Sequence, residues 1–239
     1  MTIPRTIGLI GGMTYHSTVD YYKGINDGVA AALGGHHSAR VVLSSVDFED
    51  VRAFQDAGDW DGAGRFLASE ATKLVQAGAQ AVAICTNLMH KAAPIVEDSV
   101  DVPLIHIADS VAAEAKRRGL RTLGVMGAKW TMRDRFYSDR LATQGLACTQ
   151  AGDEDIELTN QIIFEDLTFG IVREESRQAL LGVAARLAQA GADAVVLACT
   201  ELPLALQDGD GTVPLLDSTK CHVNALLDFI LASDPSDDA

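Results

Sequence analysis

The chain has 239 residues, 48% of them hydrophobic, and a formal charge of −14 from 19 Lys+Arg against 33 Asp+Glu. This length lies between one large domain and two small ones, and the hydrophobic share is enough to bury a sizeable core. An acidic excess of this size repels phosphate backbones and anionic lipid surfaces, which argues against nucleic acid and membrane as partners.

In chain order, the opening MTIPRTIGLIGG has an apolar run too short for a signal-peptide core or a membrane span, so a cytoplasmic protein is expected. TIGLIG, from Thr6, reads as a buried strand. The GLIGGM that overlaps its end is not a dinucleotide fingerprint, because its spacing is not GxGxxG and no acidic residue closes the second strand. A helix over 19–33, with Tyr21 and Tyr22, is core or an oligomer contact, and His36 and His37 fall in a Gly-rich turn. Further apolar runs follow as strands: RVVLSSV, AVAIC, VPLIHI, TLGVMG, AVVLAC and VPLL. Helical periods lie between them, at 62–77 ending on Ala77-Gly78 and at 173–190 ending on Ala190-Gly191, with Gly as the stop. Strand and helix alternate, so the class is α/β with parallel strands. The tail ASDPSDDA is short and acidic and is expected to fray.

The chain also resembles itself. TIGLIGG from Thr6 is echoed by TLGVMGA from Thr122, AGAQAVAICTNL from Ala77 by AGADAVVLACTEL from Ala190, and VPLIHIAD from Val102 by VPLLDSTK from Val213. The separations, roughly 110 to 116 residues, are those of a duplicated domain and not of a solenoid unit. Two pseudo-symmetric Rossmann-like lobes are therefore expected, with the active site in a cleft between them. The first is residues 1–101 with 213–239 and carries Cys85; the second is residues 102–212 and carries Cys199.

Ligands of open α/β sheets bind beyond the carboxyl ends of the strands, where both repeated Cys-Thr pairs lie. A lone cysteine at a strand end is most often a small buried apolar residue; repetition in register is what singles out Cys85 and Cys199. Cys148 and Cys221 have no matched partner and read as structural or exposed. No CxxC spacing is present, so neither a zinc knuckle nor a thioredoxin motif is written. Inverting an α-carbon needs one group to remove a proton and another to return one to the opposite face, and two opposed thiols could do this. Each cysteine precedes an expected helix N-terminus, whose dipole favours thiolate. Thr86, Asn87 and Thr200 are candidates to stabilise the carbanion-like transition state. His90 and Lys91, on the expected helix after Cys85, read equally as capping or surface groups or as ligand contacts, and Glu201 reads as a carboxylate at a helix N-terminus, close enough to tune the second thiol.

CTNLMHK at 85–91 and CTEL at 199–202, with the opening GLIGGMT, the later ST, YY and IN, SVDF at 45–48, GDW at 58–60 and HIAD at 106–109, resemble the aspartate/glutamate racemases over nearly the whole chain. The resemblance implies a PLP-independent isomerase that needs no metal or other cofactor, acts on a small amino acid and forms a homodimer. It implies Cys85 and Cys199 as the bases, one per enantiomer, with Thr86, Asn87, Thr200 and Thr131 on carboxylate, Met13 in the opening loop near the ligand, and Arg52, on the loop after the second strand, for a side-chain carboxylate. Thr168 stands where aspartate-specific relatives carry lysine, which implies a broader or different substrate range; Tyr15-His16, where many have Trp-Glu, change the loop nearest the ligand. Hydantoin racemases, maleate isomerases and arylmalonate decarboxylases are the alternatives within the superfamily, the last using a single cysteine. An amino-acid binding protein and a thiol-redox protein are the alternatives outside it.

Overall fold

The structure, a computed structural model, describes residues 4–232. The acidic tail lies outside them apart from Ala232. Among the described residues seven strands form: β1 (Thr6–Gly11), β2 (Arg40–Ser45), β3 (Ala81–Ile84), β4 (Thr122–Gly127), β5 (Ala147–Thr149), β6 (Ala194–Ala198) and β7 (Leu215–Asp217). All pairings between them are parallel, in one sheet of order β2-β1-β3 and another of order β5-β4-β6-β7.

The chain divides into two compact units, one holding the described residues up to His106 and from His222 onward, the other Ile107–Cys221. The crossing points differ from the sequence expectation at both ends. Leu104 pairs with Val82 of β3, which keeps 102–106 with the first unit. β7 pairs with β6, which keeps Leu215–Asp217 with the second. VPLIHI makes only that single bridge, because the helix Ile107–Arg117 begins at its last residue, and Pro103 has no N–H to donate to a ladder. β5, three residues at a sheet edge, is too short to have stood out in the sequence.

In the first unit, alternate residues of the strands serve opposite faces. Ile7, Leu9, Ala81 and Ala83 pack with Tyr21, Ile25 and Val29 of the helix Tyr15–Leu33 and with Val223, Leu226 and Ile230 of the helix Ser218–Leu231. Ile10, Val82 and Ile84 pack with Leu67, Ala71 and Leu74 of the helix Trp60–Gln76. The second unit repeats the plan: Leu123, Val125, Ala194 and Val196 face the helix Ile107–Arg117, while Met126, Val195 and Leu197 face the helix Glu174–Gln189. The two helices with the echoed AGA ends stop where Gly78 (φ +97°) and Gly191 (φ +102°) take a left-handed conformation. In each unit, the first strand lies between the two that follow it.

Candidate active site

In the first unit, Cys85 is the residue immediately beyond β3. Its N–H donates to the Ile10 carbonyl at 2.9 Å, and its own carbonyl accepts from Ser17 Oγ at 3.2 Å. Ser17 and Thr18 lie in the first turn of the helix Tyr15–Leu33, and Thr18 Oγ1 holds the opening loop by accepting the Gly12 N–H at 2.8 Å. Gly12 has φ +93°, and a Cβ there would stand 2.1 Å from the Val46 carbonyl, so the loop's close approach to the end of β2 requires glycine. Met13, 3% exposed, packs in the cluster of Ile10, Ile84 and Met89.

Cys85 is fully buried, and burial pushes its thiol well above the usual range. The helix dipole expected to favour thiolate is weak here. After Cys85, Thr86 and Asn87 comes only a five-residue 3-10 turn, Leu88–Ala92, and then a five-residue helix, Ala93–Glu97. Desolvation therefore decides the sign. Thr86 is half-buried and Asn87 is 2% exposed.

Arg52 lies within the helix Phe48–Ala57 and not on a loop, because Asp47 caps that helix by accepting the Glu49 N–H at 3.0 Å. Its guanidinium stands 3.5 Å from Asp56 one turn on. Gln55 of the same helix donates to Met89 Sδ at 3.2 Å, which ties the helix to the turn after Asn87.

Three buried histidines lie behind this loop. His90 Nδ1 is 2.8 Å from the Thr86 carbonyl, and its ring is 4.4 Å from that of His106 and 5.8 Å from that of His222. His222 Nε2 is 2.7 Å from the Ile105 carbonyl, and its Nδ1 is 2.7 Å from Tyr21 Oη. A carbonyl only accepts, so Nε2 carries the proton and Tyr21 donates to Nδ1. The surface or capping role read for His90 is thus replaced by a buried one. His222 carried no local signal, since its partners are far away in sequence. Lys91, by contrast, stacks its ammonium 4.0 Å from the centre of the Trp60 ring.

In the second unit, Cys199 occupies the equivalent position beyond β6 and is half-buried. Its Sγ is 3.1 Å from Glu201 Oε2, which also accepts from Thr200 Oγ1 at 2.8 Å. Burial pushes this thiol well above the usual range, and the Glu201 carboxylate adds to the effect. Glu201 stands at the N-cap position of the single-turn helix Leu202–Ala205, as the sequence suggested, but its side chain makes no capping hydrogen bond and serves the Cys-Thr pair instead.

Thr131, 3% exposed, lies near the start of this loop: a Cβ on Gly127 would stand 2.6 Å from the Ala198 carbonyl and 3.4 Å from Thr131 Cβ. Among the described residues neither its hydroxyl nor that of Thr149 has a hydrogen-bond partner, and both threonines line a cavity of about 20 Å³. Thr168, on the 3-10 turn Leu167–Phe169, donates to the Phe164 carbonyl at 3.1 Å. Leu167 of that turn shares a core cluster with Leu202.

The structure therefore gathers Met13, Cys85, Thr86 and Asn87 at one strand end and Thr131, Cys199 and Thr200 at another, with Arg52 and Thr168 on neighbouring elements. Cys221 is buried and Cys148 half-buried, their thiols pushed up to about 12 and about 11 by burial. Among the described residues no group of His, Cys, Asp and Glu is arranged to hold a metal ion, and no helix is long and apolar enough to cross a membrane.

A cysteine and a threonine at the same topological place in two similar parallel sheets is the arrangement to compare with known proteins. The sequence profile of the Asp/Glu/Hydantoin racemase family matches residues 10–226. The chain belongs to this family.

This family of isomerases also supplies similar solved structures. A candidate Asp/Glu racemase from Yersinia pestis is 40% identical, with a TM-score of 0.91 over 95% of this chain and 100% of that one. An aspartate racemase homologue from Pyrococcus horikoshii is 33% identical, with a TM-score of 0.84 over 95% and 100%. Among curated sequences, the broad specificity amino-acid racemase RacX of Bacillus subtilis is 22% identical over 178 residues, 73% of this chain and 75% of that protein.

Proposed function

We propose that this racemase-family chain is a cofactor-independent amino-acid racemase of the aspartate/glutamate type with a broad substrate range, and that Cys85 and Cys199 exchange protons with the α-carbon. The observation that carries this reading is that each unit presents a Cys-Thr pair directly beyond the strand that pairs with its first strand, β3 with β1 and β6 with β4. The Bacillus subtilis relative, a broad specificity amino-acid racemase, supports the breadth.

One thiolate takes the α-proton and becomes a thiol; the other thiol gives its proton to the opposite face and becomes a thiolate. The substrate leaves inverted and the two sulfurs have exchanged states, ready for the other enantiomer. Burial makes a thiolate costly at both positions, and the substrate's α-ammonium group, by bringing a positive charge, offsets that cost. Thr86, Asn87, Thr131 and Thr200 supply donors to the α-carboxylate. Arg52 meets a side-chain carboxylate, while Met13 and Thr168 border the substrate.

Proton NMR in D₂O with a panel of L-amino acids tests the reading. The α-proton signal of the substrate should vanish while its D-enantiomer appears on chiral chromatography. Cys85→Ala and Cys199→Ala should each abolish racemisation. Equal residual racemisation in both variants would overturn the two-thiol assignment.

A further inference from the structure

The two Cys-Thr pairs differ in the residue that follows them. After Cys85-Thr86 stands Asn87, a neutral amide that is 2% exposed; after Cys199-Thr200 stands Glu201. This difference falls beside the two sulfurs to which the proposed reading assigns the chemistry.

The contacts of Glu201 are specific. A single carboxylate oxygen, Oε2, lies 3.1 Å from Cys199 Sγ and 2.8 Å from Thr200 Oγ1. An ionised carboxylate only accepts hydrogen bonds, so the sulfur facing it must bear a proton, and that S–H is aimed at the carboxylate. A thiolate at the same distance would place two negative charges in contact inside a half-buried pocket. Thr200 fixes the carboxylate by donating to the same oxygen. At Cys85, burial is the sole cause acting on the thiol.

We propose that Glu201 is a positioning residue that holds Cys199 in its proton-bearing form, so that Cys199 rests as the acid of the pair and Cys85 as the base. This rests on the racemase reading for its catalytic meaning. It makes the two resting forms of the protein unequally populated. Of the two singly ionised forms, the carboxylate favours the one with Cys85 as thiolate and Cys199 as thiol, which accepts the enantiomer whose α-proton faces Cys85. Racemisation has an equilibrium constant of one, so kcat/KM must be equal in both directions whatever Glu201 does. The bias therefore appears as unequal KM values for the two enantiomers, matched by equally unequal kcat values.

The test uses Glu201→Gln and Glu201→Asp in the full chain. First, iodoacetamide labelling of each cysteine is followed from pH 6 to 10 by peptide mass spectrometry. In Glu201→Gln, labelling of Cys199 should move to lower pH and quicken about tenfold near neutrality, as removal of a like charge in contact implies, while labelling of Cys85 stays as in the wild type. Glu201→Asp, which retains the charge, should lie closer to the wild type, and it provides the reading if the amide variant does not fold. Second, KM and kcat are measured for both enantiomers of the substrate. Their L-to-D ratios should move together in Glu201→Gln, with kcat/KM still equal in the two directions.

An unchanged Cys199 labelling profile in Glu201→Gln, or labelling of both cysteines shifted alike, overturns the proposal. The labelling needs no turnover, so a shifted Cys199 profile in a protein that racemises nothing would sustain the role of Glu201 at the thiol and refute the racemase reading instead.

Discussion

The Nδ1 of His90 lies 2.8 Å from the carbonyl oxygen of Thr86, and this contact fixes the backbone that presents Cys85. Burial pushes the His90 ring well below its ordinary pKa, so it is neutral and its Nδ1–H donates. The role is that of a hydrogen-bond donor, and a neutral donor of the same reach should replace it. Asparagine places its amide nitrogen at the position of Nδ1, and glutamine does not. His90→Asn should keep most of the racemase activity, whereas His90→Gln and His90→Leu should lose roughly ten- to a hundredfold in kcat, the scale expected when a reacting group is misplaced by about 1 Å. Steady-state kinetics on the three variants reads the order, and equal kcat in all of them would show that the contact does not position Cys85.

Arg52 pairs with Asp56 at 3.5 Å on a helix surface, with side chains 34% and 62% exposed. Such a pair contributes little to stability, so Arg52→Ala should cost at most about 0.5 kcal/mol in urea unfolding. On the proposed reading its effect falls on substrate choice. KM for aspartate and glutamate should rise about tenfold or more as the charged hydrogen bonds are lost, with KM for neutral amino acids unchanged. A uniform panel would leave Arg52 as a solvated helix cation.

Gly12 and Gly78 both have positive φ, +93° and +97°, but only Gly12 has backbone in the way of a Cβ, 2.1 Å from the Val46 carbonyl. Gly78→Ala should cost about 1 to 2 kcal/mol, the strain of the left-handed conformation alone. Gly12→Ala adds a backbone collision and should cost more than about 3 kcal/mol or prevent folding. Urea midpoints, read with unchanged m-values, separate the two.

Burial pushes His222 to about 4 from its ordinary value of 6.5, so the folded protein keeps it neutral where the unfolded chain would protonate it. Stability from this group is complete above pH about 6.5 and falls as the pH drops toward about 4, by roughly 3 kcal/mol in all. His90, pushed down for the same reason, adds to the same window. Urea unfolding between pH 7.5 and 4.5 should show the decline, and His222→Gln should flatten part of it. An identical slope in the variant would exclude His222 as a source.

The parallel α/β class, six of the seven strands and the positions of Cys85 and Cys199 were legible in the sequence. Strands buried on both faces are written as unbroken apolar runs, and the repeat set the two cysteines in register. The thiolate-favouring dipole expected from the sequence needs full helices after Cys85 and Cys199, and the structure has a 3-10 turn and a single helical turn there. Arg52 reads as a loop residue only if the cap at Asp47, directly after the expected strand, is passed over; the helix that it starts runs through Arg52. Ser17 was visible only as part of the opening signature, with no partner to give it a role.

By itself the sequence determined what local chemistry can specify: apolar runs that must be buried, glycines that end helices, and a Cys-Thr pair written twice. The tertiary structure decided what depends on segments far apart in the chain. Ser17 reaches the Cys85 carbonyl across 68 residues, and Tyr21 meets His222 across 201. Whether the thiols rest protonated is likewise a matter of how completely the packed sheets and helices remove them from water, and no single stretch of sequence carries that desolvation.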